Sequence, residues 1–232
     1  MNHYSIAIDG PAASGKSTAA KIISKRLNFL YVDTGAMYRA VTLLMLEKGL
    51  DTKDREAAKS ILPECDIKED REGRVYLNGR DVTSRVRMPD VSSQVSYACA
   101  HKEVREKLVE LQREMAKSEN VIMDGRDIGT VVLKDATLKI YQVASSYARA
   151  VRRQKENVEK GISNASVEEI QKEIEKRDYI DSHRENSPLM KADDAIELDT
   201  SDLTIEEEVN AIIELFKKKV GEEVWNNMVQ SH

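Results

Sequence analysis

The 232-residue sequence predicts an α/β fold: a central parallel β-sheet flanked by helices, with a small antiparallel insert. Three observations predict it. Short apolar runs of strand length alternate with longer stretches of helical periodicity. The first apolar run leads straight into the glycine-bearing loop "DGPAASGKST", residues 9–18. A single interruption, near residues 63–87, has the turn chemistry of an antiparallel hairpin instead.

Taken in order, "YSIAI" (4–8) reads as a buried strand, and residues 16–27 as a helix with Ala19, Ile23 and Leu27 on one stripe. "FLYV" (29–32) is the second strand; Met37, Val41 and Leu44 mark the next helix, which stops near Gly49. "CDIKEDREGRVYLNGRDVT" (65–83) carries Asn78-Gly79, the strongest short hairpin signal because both residues tolerate positive φ. Pro89 opens a new helix. Val104, Leu108, Leu111 and Met115 form one face of a helix over about 102–117, and further strands follow at 121–123, 138–143 and 195–198. Ser166 with Glu169, and Thr204 with Glu207, have capping-box spacing and start two late helices. The expected organisation is a core of residues 1–62 and 88–220, an insert at 63–87, an unusually charged helical span at about 146–184 and a loosely ordered tail at 221–232.

Composition narrows the function classes. The net charge of −5 gives no electrostatic reason for nonspecific binding to nucleic acid or to an anionic membrane. No basic patch with interleaved aromatics is visible, and no apolar run approaches the roughly 18 residues of a membrane span. Cys65 and Cys99 are too few and too distant for a zinc site or disulfide framework, which fits a reducing cytoplasm. No leftover apolar stripe calls for a partner, so a monomer is expected.

The phosphate chemistry lies in the first loop. Gly10, four intervening residues (Pro11, Ala12, Ala13, Ser14) and Gly15-Lys16-Ser17 match G-x-x-x-x-G-K-[ST] in full, with Thr18 following. Glycines let the backbone curl so that successive N–H groups face phosphate oxygens. The helix beginning at the loop adds its unpaired N–H groups and positive dipole end. Lys16 supplies charge to the β- and γ-phosphates of a nucleoside triphosphate, and the Ser17 hydroxyl can ligate Mg²⁺. Asp124, at the end of the strand in "VIMDGRD", resembles the carboxylate that supports the metal, although a strand-terminal Asp also serves as a turn cap. No Asn-Lys-x-Asp element for a guanine base occurs, which counts against a GTPase switch.

"IDGPAASGKST", "DTGAMYR", "DGRDIGTVV" and "RDYIDSHRENSPL" stand in this order, with "YLNGRDVTSRVR" between the second and third. Together they resemble the bacterial cytidylate kinases, nucleoside monophosphate kinases whose fold carries a small β-rich extension. The resemblance implies a nucleoside monophosphate pocket of Thr34, Tyr38, Arg39, Ser96, Arg105, Arg126, Asp127, Arg177, Asp181 and Arg184. Of these, Arg39, Arg105 and Arg126 would hold the acceptor phosphate and Ser96 would touch cytosine. It also implies that Arg149, Arg152 and Arg153 lie on a lid over the triphosphate. Lys16, Arg126, Asp127 and Arg153 are the expected catalytic group, with ATP as donor and CMP or dCMP as acceptor. Independently, Arg177, Asp181 and Arg184 are spaced by four and then three, so they share one helix face. Such a pair is also the ordinary form of a surface salt bridge. Two other readings stay open: a kinase of the same class acting on UMP, AMP or shikimate, and an ATP-binding module without turnover.

Overall fold

The computed structural model describes residues 3–230; the first two residues of the expected core and the last two of the expected tail lie outside the described residues. In chain order, β1 (Ser5–Asp9) leads through the phosphate loop into α1 (Lys16–Leu27), followed by β2 (Leu30–Asp33) and α2 (Thr34–Glu47). A short α3 (Arg55–Ile61) precedes the insert strands β3 (Ile67–Glu69), β4 (Val75–Leu77) and β5 (Arg80–Asp81). Then come α4 (Pro89–Ala98), α5 (Lys102–Ala116), β6 (Val121–Gly125) and β7 (Leu138–Val143). The chain ends with α6 (Ser146–Glu159), α7 (Val167–His183), β8 (Ile196–Asp199), α8 (Ile205–Val220) and α9 (Glu222–Gln230).

The main sheet has the order β2-β6-β1-β7-β8, and every neighbouring pair in it is parallel. Helices lie on both faces of the sheet, so the inner strands β1 and β6 are buried on both sides. Alternation along the strands sorts the core into two. Ala7, Val121 and Met123 face the layer of α2, α4 and α5, whereas Ile6, Ile8 and Ile122 face α1 and α8. Phe216 of α8 is fully buried in the second layer, edge-on to Tyr4 and Phe29 with ring centroids 6.2 and 5.6 Å away. The connection from β1 runs to β2 on one side of the sheet and that from neighbouring β7 runs to β8 on the other, so the two diverge and open a crevice at the carboxyl ends. The phosphate loop sits in that crevice.

The insert is a three-stranded antiparallel sheet whose turn places Asn78 at φ 52° and Gly79 at φ 77°. Val75 and Leu77 bury their side chains in the same core as α2, so the insert is packed onto the main body along one face. Pro89 begins α4, and both expected capping boxes are formed.

Two expectations are corrected. The tail is not loose up to residue 230: α9 forms, and Trp225 and Met228 pack against the α1–α8 layer. Gly221, at φ 84°, turns the chain back so that this face meets the core. Helices α6 and α7, moreover, do leave apolar side chains uncovered: Tyr147, Val158 and Tyr179 are all more than half exposed. Among the described residues no helix is long and apolar enough to cross a membrane.

Truncation of Phe216 to alanine removes a ring from a site with no slack, and is expected to cost about 3–5 kcal/mol. Urea unfolding of the F216A variant checks this; a loss below about 1 kcal/mol would contradict the packing described.

Candidate active site

Gly15, at φ 101°, stands where a helix cap would stand, and its missing side chain leaves the first N–H groups of α1 without a side-chain partner. No acidic residue lies in that first turn. The helix start is therefore open to an anion. Gly10 serves the loop differently. A Cβ there would run into the backbone carbonyl of Gln142 on β7, so this glycine lets the loop leave β1 close against its neighbour. Lys16 is buried, its Nζ donating to the Pro11 carbonyl at 2.6 Å and to Ser14 Oγ at 3.0 Å. Burial and the nearby Arg126 charge lower its pKa to about 7, against the opposing pull of Asp124, Asp9 and Asp178.

Beside the loop, the Ser17 hydroxyl donates to Asp124 Oδ2 at 2.8 Å, and Tyr31 donates to Oδ1 at 2.7 Å. The Asp124 carbonyl accepts from Thr34 Oγ1 at 2.7 Å, which joins β6 to the start of α2. A serine hydroxyl beside one carboxylate is a donor set of hard oxygens, and it fits Mg²⁺ completed by water and substrate phosphates. No cluster of three or more His, Cys, Asp or Glu able to hold a metal occurs among the described residues.

One cavity of about 740 Å³ runs from this loop to the far end of α7. It is lined by Lys16, Ser17, Thr34, Tyr38, Arg39, Ser96, Arg105, Asp124, Arg126, Asp127, Arg152, Arg153, Arg177, Asp181 and Arg184, with Ala12, Ala13, Ser14, Gly15 and Thr18 of the loop. Nearly every residue singled out in the sequence thus meets in one place. Gly10, Pro11 and Arg149 do not line it. The first two act through backbone geometry. Arg149 is turned away because its guanidinium is engaged by the carbonyls of Ala144 and Ala12 and by Asp178. Arg152 is held by the carbonyls of Thr200 and Ser201, and Arg153 lies 3.7 Å from Glu156.

The arginines are held by buried carboxylates at three points. Asp33 meets Arg39 at 3.3 Å and Arg87 at 2.7 Å, and also caps α2 through the Ala36 N–H at 2.7 Å. Asp127 pairs with Arg105 and lies 3.8 Å from Arg184. Asp181 accepts from Arg126 Nε at 2.9 Å and from Ser96 Oγ at 2.9 Å, with Arg184 at 3.9 Å. Burial pushes the Asp33 and Asp181 carboxyls up, but the surrounding arginines outweigh it and hold both below the ordinary carboxylate range. Arg177 has less compensation: burial lowers its pKa to about 10, and its Nε has no hydrogen-bond partner. Tyr38 Oη, Arg39 Nε and Arg184 Nη2 are likewise buried and without a hydrogen-bond partner. These donors suit an anionic, hydrogen-bonding ligand.

Several contributors escaped the sequence reading. Asp33 and Asp178 stand inside the family motifs, next to residues that were chosen, and Arg87 closes the insert motif. Asp9 anchors the loop after Asp127 by accepting from the N–H groups of Ile128 and Gly129, both at 2.7 Å. Glu69 of the insert accepts from the Asp33 N–H at the free edge of β2, its two oxygens at 3.2 and 3.1 Å. Side-chain identity carried the signal for each, but only folding brings the acids under the bases.

Burial, then the Asp33 and Asp124 charges, raises the Glu69 pKa from 4.5 to about 8. The folded state therefore holds this proton more tightly, so its stabilising contribution is full below about pH 4.5 and is lost as pH rises through about 8. Relative to Glu69→Gln, the unsubstituted protein is expected to lose stability between about pH 5 and 9. Urea unfolding of both across that range is the check, and a pH-independent difference would contradict it.

Comparisons with known proteins agree with this geometry. Residues 6–218 match the family described as cytidylate kinase. The cytidylate kinase of Lactobacillus johnsonii is 52% identical over 217 residues, covering 92% of this chain and 94% of that protein. That of Enterococcus faecalis is 50% identical over 222 residues, covering 94% and 98%. Among solved structures, a gluconokinase from Sinorhizobium meliloti aligns with a TM-score of 0.51 at 12% identity, covering 100% of this chain and 99% of that one, a likeness of fold alone. A match across nearly the whole chain, at about half identity, leaves one conclusion: the chain belongs to the cytidylate kinase family.

Proposed function

We propose that the chain transfers the γ-phosphoryl group of ATP to CMP and dCMP, with Mg²⁺, giving ADP and the nucleoside diphosphate. One observation carries the reading: Lys16 at the phosphate loop and Arg39, Arg105, Arg126, Arg177 and Arg184 from separate segments line a single cavity. Binding ATP alone does not require so many arginines beyond the loop. Bringing a second phosphate against a triphosphate does, because two polyanions repel at contact distance.

The acceptor is a phosphate oxygen, ionised at neutral pH, so no strong general base is needed. The work of the protein is alignment and charge neutralisation. Backbone N–H groups of the loop and Lys16 hold the donor; Arg39, Arg105 and Arg126, held by Asp33, Asp127 and Asp181 respectively, take the acceptor phosphate. When bound through Ser17 and Asp124, Mg²⁺ supplies positive charge to the donor phosphates. Arg126 stands between the two halves, close enough to Lys16 to lower its pKa, which suits a group acting on the charge that develops during transfer. Arg152 and Arg153 of α6 contribute from the lid side, where closure excludes water that would otherwise take the phosphoryl group.

At the far end, Ser96 and Asp181 supply hydroxyl and carboxylate acceptors beside the Arg177 and Arg184 donors. Cytosine presents an amino donor next to acceptors and complements such a set. Uracil reverses that edge and would leave buried groups unpaired, a strong basis for discrimination.

An ADP-release assay with CMP, dCMP, UMP and AMP in parallel tests the reading. Turnover is expected with CMP and dCMP and little with the others; no turnover of any cytidine nucleotide would overturn it. Arg126→Ala is expected to lower kcat roughly 100-fold as well as weakening the acceptor. A raised KM with kcat unchanged would contradict the role given to Arg126.

A further inference from the structure

Asp178 and Arg149 do not line the cavity, yet both reach the phosphate loop. Asp178 Oδ1 accepts the Ala12 N–H at 2.9 Å, and Arg149 Nη1 donates to the Ala12 carbonyl at 2.9 Å. The same Nη1 lies 2.6 Å from Asp178 Oδ2, while Arg149 Nε donates to the Ala144 carbonyl, just past β7, at 2.9 Å. One residue of the loop is thus held at both its backbone groups, by a side chain of α7 and a side chain of α6. Ala12 and Arg149 are 2% and 6% exposed, so water competes little for these bonds. The next residue supplies an independent observation. Ala13 adopts φ 58°, a conformation that an alanine keeps only where its surroundings over-determine it. Those surroundings are the lid: Ala13 packs against the small apolar cluster of Ala150, Ile170 and Ile174 on α6 and α7.

We propose that Asp178 and Arg149 form a latch from the lid helices onto the Ala12–Ala13 turn, making Asp178 a positioning residue for the donor triphosphate. The inference rests on the proposed phosphoryl transfer from ATP and deepens it. The strained turn sets the direction of the following N–H groups, and the latch keeps the turn strained. Donor affinity is thereby tied to the position of α6 and α7, without either residue touching a phosphate.

The test uses the full chain with Asp178→Ala and Asp178→Asn, measuring KM for MgATP at saturating CMP and KM for CMP at saturating MgATP. Equilibrium titration with ATP and thermal melting by circular dichroism accompany the kinetics. The D178A variant is expected to weaken MgATP about 10- to 100-fold, leaving KM for CMP within about twofold. The D178N variant is expected to recover part of that loss, since its amide oxygen still accepts the Ala12 N–H. Unchanged ATP affinity in D178A overturns the latch. So does an equal loss toward both substrates with a lowered melting temperature, the sign of a merely structural residue. If the unsubstituted protein binds ATP but leaves CMP untouched, the function reading fails while the ATP titration still decides the latch.

Discussion

The buried carboxylates beneath the arginines are the constraint on which the rest of the site depends. Guanidinium groups crowded along one cavity repel one another, and burial makes each charge costly. Asp33 under Arg39 and Arg87, Asp127 under Arg105 and Arg184, and Asp181 under Arg126 offset that cost. Several nitrogens of these arginines, Arg39 Nε, Arg105 Nε and Arg184 Nη2 among them, stay buried without a hydrogen-bond partner. The acids also fix direction, since each pins an arginine from one side. A site built of bases alone would be neither stable nor oriented.

These acids are placed by the sheet. Asp33 ends β2, Asp124 lies near the end of β6 and Asp127 follows it, so three carboxylates gather at the carboxyl edge where the connections diverge. Asp9, at the end of β1, holds the turn after Asp127. Asp181 arrives from α7, which ties the far end of the cavity to the α6–α7 pair. The insert joins the same arrangement through Glu69, whose carboxylate covers the open edge of β2 at Asp33. Insert and sheet edge thus meet at Asp33, and the phosphate loop meets α6 and α7 through Ala12.

Much of this was legible in the sequence, for identifiable reasons. Strands buried on both faces declare themselves as apolar runs, and capping boxes and Asn-Gly turns carry their own local chemistry, so β1, α1, the hairpin and the starts of α7 and α8 were readable. The phosphate loop was readable because its spacing is set by the geometry of a curled backbone. Pairings between distant segments were not. Nothing local to Arg149 tells that its charge is spent on Ala12 and Asp178 instead of facing the cavity. Asp33 reads as a helix cap, which it also is, and its two arginines come from residues 39 and 87. The helix after Gly221 was missed because its stability comes from Trp225 and Met228 packing on α1 and α8, with little intrinsic signal.

The most direct measurement is a crystal structure of the protein with CMP and a non-hydrolysable ATP analogue. The CMP phosphate is expected within hydrogen-bond distance of the Arg39 and Arg126 guanidinium groups, with the terminal donor phosphate facing it beside Lys16. A CMP phosphate bound away from these arginines, or a donor seated outside the loop of residues 9–18, would contradict the account.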